Sequence, residues 1–139
     1  MDKELIDQDT AGMLVREARK AAMASYSPYS RFSVGAAVLC VDGSVVRGTN
    51  VENASYGLSM CAERSALFAG VAAGKKGFLG LAVTCPDADE ALGVRGRMPC
   101  GACRQVISEL CDADCFVIVD GVGTFGIDEL LPLSFDLGG

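Results

Sequence analysis

A hairpin signal followed by alternating strands and helices is the feature that most limits how this chain can fold. Val34 to Val41 reads as a buried strand, Asp42-Gly43 as a tight turn, and Val45 to Thr49 as the returning antiparallel strand. From there apolar strands and helical stretches take turns. An Ala-rich helix at about Cys61 to Ala73 is stopped by Gly74 and followed by a strand at Phe78 to Thr84. A helix at Gly101 to Leu110 and a strand at Phe116 to Val119 come next, then a last strand near Thr124 to Ile127 and a turn of helix at Asp128 to Leu131. Ahead of the hairpin, about Leu5 to Ala24 carries Leu14, Ala18, Ala21 and Ala22 at helical spacing, with Arg16, Glu17, Arg19 and Lys20 between them. Pro28 closes that helix, and the stretches Asn50 to Ser59 and Pro86 to Pro99 read as loops. With no repeat or linker, the 139 residues form one domain, 1-139. The pattern predicts an α/β fold, a three-layer α/β/α sandwich around a mixed, mostly parallel five-stranded sheet.

Composition removes whole classes of function. Half of the residues are hydrophobic, which excludes a disordered chain. No apolar run approaches the roughly 20 residues of a membrane span, so no membrane partner is expected. Met1-Asp2-Lys3-Glu4 leads into no apolar signal core, which argues for a cytoplasmic protein. Twelve basic against eighteen acidic residues give −6, a balance that disfavours a nucleic-acid partner. There is no histidine, so no imidazole base or ligand is available within the chain. Seven cysteines in an unexported chain do not suggest disulfides; metal ligation, redox chemistry and core packing remain.

Position separates those uses. Pro99-Cys100-Gly101-Ala102-Cys103 puts two thiols on one face at the start of a helix. Helix N-termini favour the thiolate, the form that binds zinc. Cys61 opens another helix, with Glu63 and Arg64 just after it. If the two helix starts converge, Cys61, Cys100 and Cys103 supply three sulfurs and leave one tetrahedral position for water, the layout of a catalytic zinc. Three thiolates on Zn²⁺ leave a net negative charge. Arg64 is placed to donate to the sulfurs and offset it, and Glu63 to reach the open position and move protons.

Plainer readings stand beside this one. The C-x-x-C pair suits a thiol–disulfide couple, and Cys111 or Cys115 would complete a structural four-cysteine zinc. Glu63 and Arg64 taken singly suit a solvated helix face. Cys40, Cys85, Cys111 and Cys115 read as small buried hydrophobes.

Cys61-Ala62-Glu63-Arg64 with Pro99-Cys100-Gly101-Ala102-Cys103-Arg104-Gln105 resembles the zinc-dependent cytidine deaminases, in particular their small homotetrameric branch. The likeness extends to Tyr26 through Phe32, Val34-Gly35-Ala36-Ala37, Asn50 through Tyr56 and Glu129-Leu130-Leu131-Pro132. It implies one Zn²⁺ per chain on Cys61, Cys100 and Cys103, with Glu63 as catalytic proton shuttle. It implies that Asn50 and Glu52 read the ribose hydroxyls, Phe32 lines the base pocket and the Ala62 backbone meets the pyrimidine edge. Ala54, Tyr56 and Phe135 match positions that reach a neighbouring subunit's site. The implied reaction is hydrolysis of cytidine and 2′-deoxycytidine to uridine and 2′-deoxyuridine with release of ammonia, by zinc-bound hydroxide, in pyrimidine salvage. A related deaminase of another base or aminonucleoside, such as blasticidin S, is the alternative. A zinc-stabilised binding protein without turnover is the rival from another class. The chain departs from the pattern in a loop from Cys85 to Met98 that looks longer than usual and carries Arg95 and Arg97, and in Met98 where Ser is common.

Overall fold

The computed structural model describes residues 7–138. Helix α1 spans Gln8–Ala22, capped by Asp7, whose carboxylate accepts from the Asp9 N–H at 3.2 Å. The sequence reading began this helix at Leu5, which lies outside the described residues. Strands β1, Gly35–Cys40, and β2, Val45–Thr49, form the expected hairpin. Helix α2 spans Ala62–Ala72 and strand β3 Phe78–Thr84. Helix α3 covers Gly101–Leu110 and strand β4 Phe116–Val119. Strand β5, Gly123–Gly126, and the short helix α4, Ile127–Leu130, each start one residue earlier than predicted. The segment taken as a plain loop at Pro86 to Pro99 contains tight 3-10 turns at Glu90–Gly96, kinked at Gly93.

The sheet order is β2-β1-β3-β4-β5. It is mixed and five-stranded, as expected, but it is not mostly parallel. Among the five described strands only β3 and β4 pair parallel; β1 runs antiparallel to both β2 and β3, and β5 antiparallel to β4. The helical crossover from β2 to β3 does make those two strands run the same way. The hairpin strand β1 then occupies the slot between them, and a tight turn rather than a helix joins β4 to β5.

Both crossovers advance in one direction across the sheet, so the right-handed rule puts α2 and α3 on the same face. There Ala62, Ala66, Leu67 and Ile107 pack on Ala36, Val38, Leu81, Val83, Val117 and Val119. On the other face Leu14 and Ala18 of α1 cover Ala37, Ala82, Phe116 and Ile118. Alternating residues of each strand thus feed two cores, the three layers the sequence predicts. Fully buried Leu14, Leu67, Leu81 and Ile107 each contribute about 1.5–3 kcal/mol. Arg19 of α1 grips Asp120 with two hydrogen bonds, at 2.8 and 2.9 Å, and Thr84 donates to the same carboxylate at 2.8 Å.

Close approach of α2 depends on Gly48 in β2. A Cβ there would lie 2.3 Å from the Ala66 nitrogen and 2.6 Å from the Ala62 carbonyl oxygen, both of them backbone atoms that cannot swing aside. Gly48→Ala is expected to lower stability by about 1–3 kcal/mol by forcing α2 off the sheet. Gly57→Ala, where a Cβ meets open space, is the control. Urea midpoints compare them, and equal midpoints would remove this account of the α2–sheet contact.

Candidate metal and substrate site

Helices α2 and α3 begin at the same edge of the sheet. Each follows a strand of the same direction, so each starts beyond a carboxyl end, where α/β sheets hold their ligands. Cys61 is the cap residue of α2, Cys100 that of α3, and Cys103 lies one turn inside α3. The Cys61 and Cys100 sulfurs are 3.9 Å apart and those of Cys100 and Cys103 3.4 Å. All three fall within 4.8 Å of one another. Tetrahedral zinc with Zn–S bonds of about 2.3 Å requires sulfurs about 3.8 Å apart. The donor set fits zinc in number, chemistry and spacing.

The surroundings are arranged for negative charge. Two helix N-termini point at the sulfurs. Arg64 donates from Nη2 to the Cys61 sulfur at 3.3 Å, while its Nε is buried without a partner. The hydrogen bond from Cys103, with the bond and charge of Arg64, holds the Cys61 thiol down to about 5. Cys103 is pushed up, because it keeps the proton it offers to Cys61 and because it is buried. Cys61 is therefore the thiolate of the pair.

Glu63 is the buried carboxyl of the site, 4% exposed. Burial pushes it up to about 7, and the nearby Cys61 charge adds to that rise while Arg64 opposes it. It shares a cavity of about 290 Å³ with Cys61, Cys100 and Ala62 and with the predicted Phe32, Asn50 and Glu52. The sequence-predicted residues of one chain therefore come together, except three. Ala54, Tyr56 and Phe135 are exposed and outside this cavity, with Tyr56 at 78% and Phe135 at 70%.

Asn50 and Glu52 are also fold elements. The Asn50 Oδ1 accepts from the Ser25 hydroxyl at 2.5 Å and the Val34 N–H at 2.9 Å, and its Nδ2 donates to the Phe32 carbonyl at 2.7 Å. One amide hydrogen is left for a ligand. The Glu52 carboxylate accepts from the N–H groups of Tyr29 and Ser30 and from the Ser30 hydroxyl. The Ser30 hydroxyl chiefly keeps Glu52 below the usual carboxylate range.

Sequence reasoning missed part of the wall. Val34, Ser59, Met60, Gly96, Arg97 and Met98 line the cavity, and so does Cys85. Cys85 was expected to be a buried hydrophobe; it is only partly covered, and burial pushes its thiol up to about 12. Its place, one residue past the end of β3, was the available signal. The other three, Cys40, Cys111 and Cys115, are buried as expected.

A mixed α/β sheet carrying a three-cysteine centre and a buried carboxyl at its edge has the layout of a zinc site with a carboxyl beside it. Residues 8–119 match the family described as the cytidine and deoxycytidylate deaminase zinc-binding region, and the chain belongs to that family. It is 49% identical to the cytidine deaminase of Halalkalibacterium halodurans over 88% of this chain and 92% of that one. The crystal structure of cytidine deaminase from Mycobacterium tuberculosis is 41% identical with a TM-score of 0.80, covering 94% of this chain and 100% of that one. The blasticidin-S deaminase of Bacillus cereus is more distant, 33% identical over 76% of this chain and 79% of its own.

The sulfur geometry makes a prediction for protein stripped of metal by a chelator. Alkylation of Cys61 is expected to stay nearly constant between about pH 6.5 and 8, because the thiol is already ionised, and to outrun Cys103 throughout. An ordinary thiol instead reacts about tenfold faster per pH unit below its pKa. Site-resolved mass spectrometry distinguishes the two, and a steep rise at Cys61 would contradict the assignment.

Proposed function

We propose that the chain hydrolyses the 4-amino group of cytidine and 2′-deoxycytidine, giving uridine, 2′-deoxyuridine and ammonia. The observation that carries this reading is the buried Glu63 carboxyl in one cavity with the Cys61 and Cys100 sulfurs. Cys61, Cys100 and Cys103 would hold one zinc per chain. Zinc held there is a Lewis acid that makes hydroxide available at neutral pH.

The chain's own groups do the rest. Phe32 and the Ala62 backbone confine the pyrimidine, while the remaining Asn50 amide hydrogen and the Glu52 carboxylate meet the ribose hydroxyls. Glu63 takes the proton from the attacking water and delivers it to N3, which makes C4 electrophilic. The water oxygen bonds to C4, and Glu63 then moves the remaining proton of that new hydroxyl to the amino nitrogen, so that the C4–N bond breaks, a C4 carbonyl forms and ammonia leaves. A carboxyl lifted to about 7 by burial suits both the taking and the giving. One residue thus serves as base and as acid. Arg64 keeps Cys61 anionic and its sulfur oriented.

Ala54, Tyr56 and Phe135 serve a neighbouring protomer in a homotetramer, which their exposure beyond their own cavity supports. A site built from reduced thiols also favours the cytoplasm. No helix among the described residues is long and apolar enough to cross a membrane. Deamination of blasticidin S is the second reading, favoured by the likeness to the Bacillus cereus enzyme.

Glu63→Gln is expected to retain zinc and fold and to lose about 10²–10⁴-fold in turnover. Ammonia release from cytidine, with blasticidin S in parallel, is the measurement. Near-normal turnover by the variant would refute the proton-shuttle role, and ammonia from blasticidin S alone would replace the substrate.

A further inference from the structure

Part of the cavity wall comes from the segment between β3 and α3. Gly96, Arg97 and Met98 line it together with Cys85, whose thiol lies 3.9 Å from the Arg97 carbonyl oxygen. The segment is tied at its start, where Asp87 accepts from the Ser33 N–H at 2.9 Å, next to Phe32. It is tied again at its end, where Pro99 is buried and its carbonyl accepts from Arg104 Nε at 2.9 Å.

Between these ties the Arg97 side chain adds a further hold to the contact of its carbonyl with Cys85. Arg97 also lines a second cavity of about 160 Å³, with Glu90, Gly93, Val94, Gly121 and Val122, and its guanidinium lies beside Glu90 and Gly121 there. Nη2 donates to Glu90 at 3.3 Å. That carboxylate is 91% exposed, and a surface pair of this kind contributes at most about 1 kcal/mol. The closer fit is on Gly121, in the turn between β4 and β5, where φ is +80° and a Cβ would lie 2.6 Å from Arg97 Nη1. The guanidinium fills the notch that the missing side chain leaves.

We propose that Arg97 is a positioning residue for the substrate: its guanidinium, seated on the Gly121 turn, holds the Gly96–Met98 wall against the bound base. The proposal rests on the deaminase reading above. Its effect falls on substrate affinity, because Pro99 and Arg104 fix Cys100 independently of the wall and Arg97 touches no reacting atom.

Arg97→Met tests it, keeping the aliphatic stem and removing the fork; Arg97→Lys restores a cation without it. Arg97→Met is expected to raise KM for cytidine about tenfold and change kcat less than about threefold, with zinc content unchanged. Arg97→Lys should fall between it and the parent, and it carries the test alone if the Met variant does not fold. A second readout needs no turnover: alkylation of Cys85 by N-ethylmaleimide should quicken about tenfold as the wall loosens. An unchanged KM overturns the proposal, as does a raised KM with Cys85 labelled at the parent's rate. If the parent itself fails to deaminate cytidine, the deaminase reading falls, and Cys85 labelling still decides whether Arg97 holds the wall.

Discussion

Three sulfurs within 4.8 Å of one another are the constraint around which this molecule is organised. Two thiolates about 4 Å apart repel by about 4 kcal/mol at an effective dielectric of 20. The chain meets that repulsion with two helix N-termini and one guanidinium. The thiols themselves divide unequally, with Cys61 lowered and Cys103 raised. Burial of Glu63 belongs to the same electrostatics, since a carboxylate beside a thiolate, away from water, holds its proton more tightly. Sheet order, helix starts and the packing at Gly48 are therefore parts of one arrangement that brings two chain segments, 39 residues apart, to one point.

Much of this was legible in the residues, and the boundary is instructive. Helices α2 and α3 and the strands between them carry local signals, namely apolar runs, a glycine stop and cysteines at cap positions. These signals also pointed to Cys100 and Cys103 as a pair, because i and i+3 on one helix share a face, and the two sulfurs lie 3.4 Å apart. Strand order carries no local signal. Alternation of strand and helix dictates that β2 and β3 run the same way, but nothing in either strand says that β1 lies between them. That slot is set by the whole sheet, where Val38 of β1 sits opposite Val46 on one side and Leu81 on the other.

Loop residues were legible only through their types. Arg97 stood out as a charge in a long connection, yet its place on Gly121 depends on a turn formed by a different part of the chain. Cys85 looked like core because most free cysteines are core. Only the path of the segment after it leaves its sulfur facing a cavity. Family resemblance singled out Asn50 but not its bonds to Ser25, Phe32 and Val34, partners that lie 16 to 25 residues away.

Those bonds make the two ends of the cavity unequal as material for change. Asn50 joins the end of α1, the entry to β1 and the exit from β2, so its end of the cavity is tied to the scaffold. A library that randomises it samples folding before it samples preference. The opposite wall, at Gly96, Arg97 and Met98, belongs to a connection outside the sheet, where a substitution leaves strand register untouched. That wall is where the cavity can be reshaped at the least cost to the fold.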